Sequence, residues 1–354
     1  MKKIVLTGGG TAGHVTPNIA LIPELQKAGY EVYYIGSYEG MEKGLIEELG
    51  IPYTGISSGK LRRYFSWKNF SDPFRVIKGY NEAVEALKRI KPDVVFSKGG
   101  FVSVPVVFAA SKLRIPSIIH ESDMSPGLAN RLCIPKADYV CANFPEALSS
   151  LPQGKAVLTG TPIRRELFMG SREKGLQFTG MSGDKPILLV MGGSLGAVRV
   201  NEAVRKALPE LLKAFDVVHL CGRGKTDESY NGTIGYRQFE YVDKEMRDIF
   251  AITDIVVSRA GANAICEFAA LKIPSVLIPL AADASRGDQI LNARSFEKQG
   301  FAKMLPEENV TNDTLTKAVA EVYLNRDTYI KNMKESSQAD SIKIITELIE
   351  KVTK

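Results

Sequence analysis

The feature that most constrains this chain is a glycine turn set between a short β-branched run and a helix-like segment, and it occurs twice. Ile4–Leu6 leads into Gly8-Gly9-Gly10-Thr11-Ala12-Gly13-His14, and Ile187–Met191 leads into Gly192-Gly193-Ser194-Leu195-Gly196. The offset from Gly9 to Gly192 is 183 positions. Strand, glycine turn and helix in that order bring bare backbone close to a ligand and aim N–H groups at it from the positive end of the helix dipole. Both turns therefore read as anion sites. A unit that starts over in mid-chain predicts two similar nucleotide-fold domains, and 354 residues exceed the roughly 250–300 at which a single core stops growing.

The segments between the turns agree. Short apolar runs at Ile4–Leu6, Val32–Ile35, Asp93–Phe96 and Ser117–His120 alternate with amphipathic stretches such as Asn81–Ile90. After Gly160-Thr161-Pro162 a second series follows, with Ile187–Met191, Val217–Cys221, Ile255–Ser258 and Ser275–Pro279. This alternation predicts an α/β chain with parallel sheets. The expected domains are 1–163 and 164–340, hinged near Pro162–Arg165, with a closing helix in 341–354 whose apolar period spans Ser341–Val352.

Charge narrows the function classes. With 46 basic and 40 acidic residues, a formal +6 is too weak over this length to imply nucleic acid. The four cysteines, Cys133, Cys141, Cys221 and Cys266, form no CxxC pair, so they read as core thiols of a reducing compartment rather than zinc ligands. The apolar run before the first glycines is too short for a signal-peptide core, and no run approaches the ~20 apolar residues of a membrane span. A cytosolic protein with at most peripheral membrane contact is expected.

Gly8, Gly10 and Gly13 satisfy G-x-G-x-x-G, which admits a dinucleotide. The ribose acid due about 20 residues later is missing, since the second strand ends Ile35-Gly36-Ser37 and Glu39 comes late. Neither turn has the Gly-Lys-Ser/Thr ending of a P-loop, and no Asp-x-Asp pair is present to bridge a metal to a diphosphate. A leaving diphosphate would then rest on helix N-termini and an arginine fork, for which Arg164 is the natural donor. No metal and no cofactor are expected.

Of three histidines, only His14 lies in a glycine turn, where it is a candidate general base or a plain helix-start residue. His120 ends a strand and divides evenly between site and strut, while His219 in Val217-Val218-His219-Leu220 reads as structural. Glu121 and Asp123 follow the strand ending at His120, and either is able to take a proton, hold a sugar hydroxyl or cap the next helix. Ser258–Glu267 joins strand to helix through small residues, with Glu267 placed for a ribose diol. Gln289 and Asn292 share a helical face at i, i+3 and suit hydroxyls. From Lys60 to Tyr80, Lys60, Arg62, Arg63, Lys68, Arg75 and Lys78 interleave with Tyr64, Phe65, Trp67, Phe70, Phe74 and Tyr80. That mixture suits an anionic membrane surface, against the alternatives of nucleic acid and an ordinary loop.

Taken together, Gly9–His14, Gly99-Gly100-Phe101-Val102-Ser103, His120-Glu121, Gly160-Thr161-Pro162-Ile163-Arg164, Gly192–Ala197, Ser258–Glu267 and Asp288-Gln289 resemble the MurG family, the undecaprenyldiphospho-muramoylpentapeptide N-acetylglucosaminyltransferases of peptidoglycan synthesis. The likeness runs in order over nearly the whole chain. It implies a GT-B fold, two Rossmann-like domains whose parallel sheets face across a cleft. It also implies metal-independent, inverting transfer of N-acetylglucosamine (GlcNAc) from UDP-GlcNAc to lipid I, giving lipid II, at the cytoplasmic face of the membrane.

The resemblance places UDP in the C-terminal half. Val242 meets the base, Gly261, Ala262, Asn263, Ala264 and Ile265 line the nucleotide, and Glu267 holds the ribose. Arg164, Ser194 and Leu195 fall at the diphosphate, and Gln289 and Asn292 at the sugar. In the N-terminal half, Thr11, Ala12 and Gly13 match the loop that closes on the donor, and Gly99 and Gly100 a loop near the acceptor diphosphate. Asp123 departs from the pattern, where many relatives carry Asn. His14 is the expected base, with Glu121 or Asp123 as substitutes. Alternatives from other classes are a UDP-GlcNAc 2-epimerase and a non-enzymatic nucleotide-sugar-binding scaffold.

Overall fold

The computed structural model describes residues 1–59, 72–193, 196–281, 287–336 and 340–353, the side chains of 12 and 72–74 excepted. The chain divides into two compact units. Unit 1 comprises Met1–Arg164 together with Asp340–Lys354, and unit 2 is Arg165–Ala339.

Unit 1 is built on seven parallel strands: β1 (Lys2–Thr7), β2 (Tyr30–Ser37), β3 (Tyr53–Ile56), β4 (Val94–Ser97), β5 (Ser117–Glu121), β6 (Tyr139–Ala142) and β7 (Ala156–Leu158). Their spatial order is β3-β2-β1-β4-β5-β6-β7. Ile4, Val5 and Leu6 in β1 and Val94, Val95 and Phe96 in β4 have no exposed surface. Helices cover both faces of such a sheet, so its central strands read as unbroken apolar runs. The helices are α1 (Ala12–Lys27), α2 (Met41–Glu47), α3 (Asp72–Ile90), α4 (Ser103–Leu113) and α5 (Leu128–Cys133).

Unit 2 has six parallel strands: β8 (Ile187–Met191), β9 (Asp216–Leu220), β10 (Tyr236–Phe239), β11 (Thr253–Ser258), β12 (Ser275–Leu277) and β13 (Ala302–Met304), in the order β10-β9-β8-β11-β12-β13. Its helices are α6 (Arg172–Thr179), α7 (Val198–Ala214), α8 (Met246–Ile252), α9 (Ala262–Leu271), α10 (Asp288–Lys298), α11 (Asn312–Leu324) and α12 (Arg326–Glu335). On α7, Val200, Val204, Ala207, Leu208 and Leu211 recur at helical spacing and are buried against β8, β9 and α11.

The closing helix α13 (Ser341–Val352) belongs to unit 1. Its Ile345, Leu348 and Ile349 enter the same core as Leu21 and Leu25 of α1, and Ser341 Oγ donates to the Thr161 carbonyl at 2.8 Å. The sequence leaves this packing partner undetermined; the structure supplies it.

In each sheet the chain first winds outward on one side and then crosses to the other, between β1 and β4 and between β8 and β11. Open α/β sheets bind ligands at that switch, beyond the carboxyl ends of the two strands. The turns after β1, β4, β8 and β11 are the glycine-rich segments singled out above.

Candidate active site

In unit 1 the turns after β1 and β4 lie backbone against backbone. Gly100 has φ +83°, and a Cβ there would fall well under 3.0 Å from the Gly9 carbonyl oxygen. Gly99, at φ +93°, presents a face toward both His14 Nδ1 and the Asn130 side chain, 3.5–3.6 Å from where its own Cβ would stand. Ser103 Oγ donates to the Gly99 carbonyl at 2.7 Å and fixes the second turn to the start of α4. His14, Gly99 and Asn130 thus converge from α1, the β4 turn and α5.

His14 Nδ1 lies 3.1 Å from the Lys98 carbonyl oxygen. A carbonyl only accepts, so Nδ1 carries the hydrogen and the neutral ring keeps its lone pair on Nε2. This is the tautomer a general base needs. The first turn departs from the simple anion cradle expected of it. Gly10 N–H donates to Glu42 Oε2 at 3.2 Å, and Glu42 Oε1 accepts from Ser37 N at 3.0 Å and Ser37 Oγ at 2.5 Å. Glu42 is fully buried. Burial opposes its charge, yet the hydrogen bonds from Ser37 and Gly10 outweigh burial and hold the carboxyl below its usual pKa. One N–H of the expected cradle is therefore spent on a protein carboxylate.

His120 is a strut. It is fully buried, with Nε2 2.8 Å from the Gly160 carbonyl and Nδ1 2.8 Å from Lys98 Nζ. The carbonyl requires N–H at Nε2, so Nδ1 accepts from the lysine, and burial together with the Lys98 charge keeps the ring neutral. Glu121 faces inward. Its carboxylate accepts from Asp123 N at 2.9 Å, Gly127 N at 3.1 Å and Asn130 Nδ2 at 2.8 Å, which braces the loop from Ser122 to Gly127. Burial raises its pKa, against the pull of those donors. Asp123 is half-buried on that loop, and Thr11 and Gly13 present surface at the start of α1.

In unit 2, Gly193 (φ +85°) and Gly261 have open space where a Cβ would stand, so a ligand is able to approach both backbones. Ser194 and Leu195 lie outside the described residues, as does the side chain of Ala12. Gly261 is the N-cap of α9, and Asn263, Ala264 and Glu267 present surface along it, whereas Ala262 and Ile265 turn into the core. Of the residues expected along the nucleotide, Ile265 has no exposed side-chain surface. Val242 is nearly buried. Gln289 Oε1 accepts from Leu280 N at 3.1 Å, and Asn292, 1% exposed, donates to the Ala260 carbonyl at 3.2 Å. Arg164 is half-buried at the end of unit 1.

Three supporting groups carry no short-range signal in the sequence. Arg259 donates to the carbonyls of Ile278 and Pro279 and pairs with buried Glu307, which ties the β11 turn to the end of β12. Asn201 donates to the Cys221 carbonyl at 2.8 Å, against which Gly196 packs, and accepts from His219 Nε2 at 3.0 Å. His219 is buried as structure, as its apolar context predicts. Glu42 reaches a turn 32 residues upstream. None of the four cysteines is in a disulfide, and all are buried. Within the basic–aromatic stretch, Lys60 to Phe70 lie outside the described residues. On α3, Ile77 is 60% exposed between exposed Arg75 and Lys78, while Tyr80 is partly buried against the core. Among the described residues no helix is long and apolar enough to cross a membrane, and no group of three His, Cys, Asp or Glu is placed to hold a metal.

Residues 4–142 match the glycosyltransferase family 28 N-terminal domain, and 187–348 match its C-terminal domain. The UDP-N-acetylglucosamine–N-acetylmuramyl-(pentapeptide) pyrophosphoryl-undecaprenol N-acetylglucosamine transferase of Lachnospira eligens is 66% identical over 349 residues, 99% of either chain. Its counterpart in Lachnoclostridium phytofermentans is 64% identical over 352 residues, again 99% of either chain. The crystal structure of Acinetobacter baumannii MurG superimposes with a TM-score of 0.79 at 25% identity, covering 99% of this chain and 100% of that one. A UDP-GlcNAc 2-epimerase of Neisseria meningitidis shares the fold, with a TM-score of 0.67 over 99% and 100% of the two chains, but only 14% identity, so the epimerase alternative is not favoured. Two parallel-sheet units, glycine turns at both switch points and full-length identity to these transferases place the chain in the MurG family of N-acetylglucosaminyltransferases.

Proposed function

We propose that this chain transfers GlcNAc from UDP-GlcNAc to the C4 hydroxyl of the N-acetylmuramic acid (MurNAc) in lipid I, undecaprenyl-diphospho-MurNAc-pentapeptide, giving lipid II for peptidoglycan. The acceptor oxygen attacks C1 of GlcNAc from the face opposite UDP, the new glycosidic bond forms as the bond from C1 to the diphosphate oxygen breaks, and the anomeric centre inverts. His14 Nε2 takes the hydroxyl proton. The observation that carries this role is the His14 Nδ1 contact to the Lys98 carbonyl, which fixes the basic tautomer. Glu121, whose oxygens accept from three donors, serves the loop rather than the proton.

UDP is assigned to unit 2, with Val242 at the base, Glu267 at the ribose, Gly261 to Ile265 along the nucleotide and Ser194 and Leu195 at the diphosphate. Gln289 and Asn292 take sugar hydroxyls. In unit 1, Gly99, Gly100 and Asp123 lie on the acceptor side. A well-placed base contributes roughly 10²–10⁴-fold. His14→Ala should lose turnover in that range, measured as radiolabelled GlcNAc passing to a lipid I analogue, with UDP affinity unchanged; near-normal turnover would remove His14 from the role.

The enzyme works peripherally on the cytoplasmic face, drawn to anionic lipid by Lys60 to Lys78 and the interleaved aromatics. What supports this is exposed Ile77 flanked by Arg75 and Lys78, with more basic and aromatic residues immediately before α3. Replacing Trp67 and Phe70 by Ser and Arg62 and Arg63 by Glu should release the protein from anionic vesicles. Unchanged co-sedimentation would sink the idea.

A further inference from the structure

In unit 2 two amides of α10 are anchored on backbone that one buried guanidinium holds. Gln289 Oε1 accepts from Leu280 N at 3.1 Å, and Asn292 Nδ2 donates to the Ala260 carbonyl at 3.2 Å. An N–H only donates and a carbonyl only accepts, so Gln289 turns its Nε2 away from the backbone and Asn292 its Oδ1. The pair therefore offers one donor and one acceptor in fixed places, and Asn292 Oδ1 has no partner among the described residues. Arg259, the residue before Ala260, is buried; its Nη1 donates to the carbonyls of Ile278 at 3.1 Å and Pro279 at 3.3 Å, the two residues before Leu280. Its Nη2 donates to Glu307 Oε1, and Glu307 Oε2 lies 3.5 Å from Arg199 Nη1 at the start of α7. Arg259 thus joins the two backbone points from which the amides hang. A planar guanidinium fork reaches the carbonyl pair and the carboxylate together, which a point-charge ammonium does not.

We propose that Arg259 and Glu307 are positioning residues that set the enzyme's grip on the donor sugar. This rests on the reading that Gln289 and Asn292 take sugar hydroxyls. Glu307 aims the guanidinium, the guanidinium locks the end of β12 to the turn after β11, and that lock sets the spacing between the Gln289 donor and the Asn292 acceptor. The residues assigned to the nucleotide stand on α9 and at Val242, outside the segment from Ile278 to Leu280 that the lock holds. Loosening it removes contacts to the sugar and spares those to UDP.

The test titrates the full-length enzyme calorimetrically with UDP and, separately, with UDP-GlcNAc, and follows the ratio of the two Kd values. Arg259→Lys and Glu307→Gln are each expected to raise the Kd for UDP-GlcNAc relative to that for UDP about tenfold, the loss of one to two net hydrogen bonds, with UDP affinity held. The double variant Arg259→Met, Glu307→Leu replaces the buried pair by apolar groups of similar size, which keeps stability, but it makes no bond to Ile278 or Pro279. It should melt near the wild type while its ratio stays raised. A wild-type ratio in the folded double variant, or UDP and UDP-GlcNAc weakened alike in the single variants, would overturn the proposal, since a merely structural pair acts on the whole unit. Should the double variant fail to fold, Arg259→Lys decides alone, because it keeps a cation beside Glu307. Gln289→Ala checks the underlying reading: an unchanged ratio there would refute the assignment of the amides to the sugar. A raised ratio there, beside unchanged ratios in the Arg259 and Glu307 variants, would overturn the positioning role alone.

Discussion

Two glycines with nearly the same backbone conformation provide a sharp test of how the acceptor-side turns are built. Gly10 has φ +85° and Gly100 φ +83°. Alanine at either position pays for left-handed backbone, about 1–2 kcal/mol. The surroundings then separate them. Nothing lies within 4 Å of a Cβ on Gly10, whereas a Cβ on Gly100 meets the Gly9 carbonyl oxygen, and behind it the Gly9 nitrogen at 3.2 Å. Both obstacles are backbone, so no side chain is able to swing aside, and relief requires the two turns to part. Overpacking of that kind adds typically about 1–3 kcal/mol. Gly10→Ala should therefore cost about 1–2 kcal/mol in urea unfolding and Gly100→Ala about 2–5 kcal/mol. Because separation of the turns also moves the Lys98 carbonyl away from His14, Gly100→Ala should lower kcat more than Gly10→Ala does, with UDP affinity intact in both. Equal destabilisation and equal kcat would refute the close backbone approach as the reason for glycine at position 100.

Glu121→Ala should remove the shared acceptor of Asp123 N, Gly127 N and Asn130 Nδ2; the first two are part-buried and Asn130 Nδ2 still donates to the His120 carbonyl, so a loss of about 1–3 kcal/mol is expected, with faster proteolysis between Ser122 and Gly127. Acid should weaken unit 2 through His219. Burial, with Arg205 adding to it, lowers its pKa from 6.5 to about 3, so between those values the unfolded chain holds a proton that the native state rejects. Its contribution is complete above pH 6.5 and declines as pH falls toward 3. From pH 6.5 to 5 the loss is about 2 kcal/mol at about 1.4 kcal/mol per unit, and His219→Gln should flatten that slope of unfolding free energy against pH.

The sequence alone determined the elements that repeat a local pattern. Ile187–Met191 matches β8 residue for residue and Ser341–Val352 matches α13, because an apolar run between turn residues and a helical apolar period are both written in adjacent positions. The two sheets, their glycine turns and the family follow from such local signals. Short strands such as β7 and β13, three residues each, exist only because a neighbouring strand supplies their hydrogen bonds, so nothing local announces them.

Tertiary structure decided which side chains hold the turns in shape. His14, Gly99, Gly100 and Glu121 are legible as residues beside glycine turns at strand ends, but Glu42, Lys98, Asn130 and Arg259 act across 19 or more positions or from a neighbouring element. The same step changed two readings: His120 became a strut once Lys98 and Gly160 closed on its ring, and the first glycine turn gave up one N–H to Glu42. Local sequence specifies backbone conformation and burial period. A hydrogen bond between distant positions depends on where the folded sheet brings two loops together, and that arrangement is set by all the strands at once.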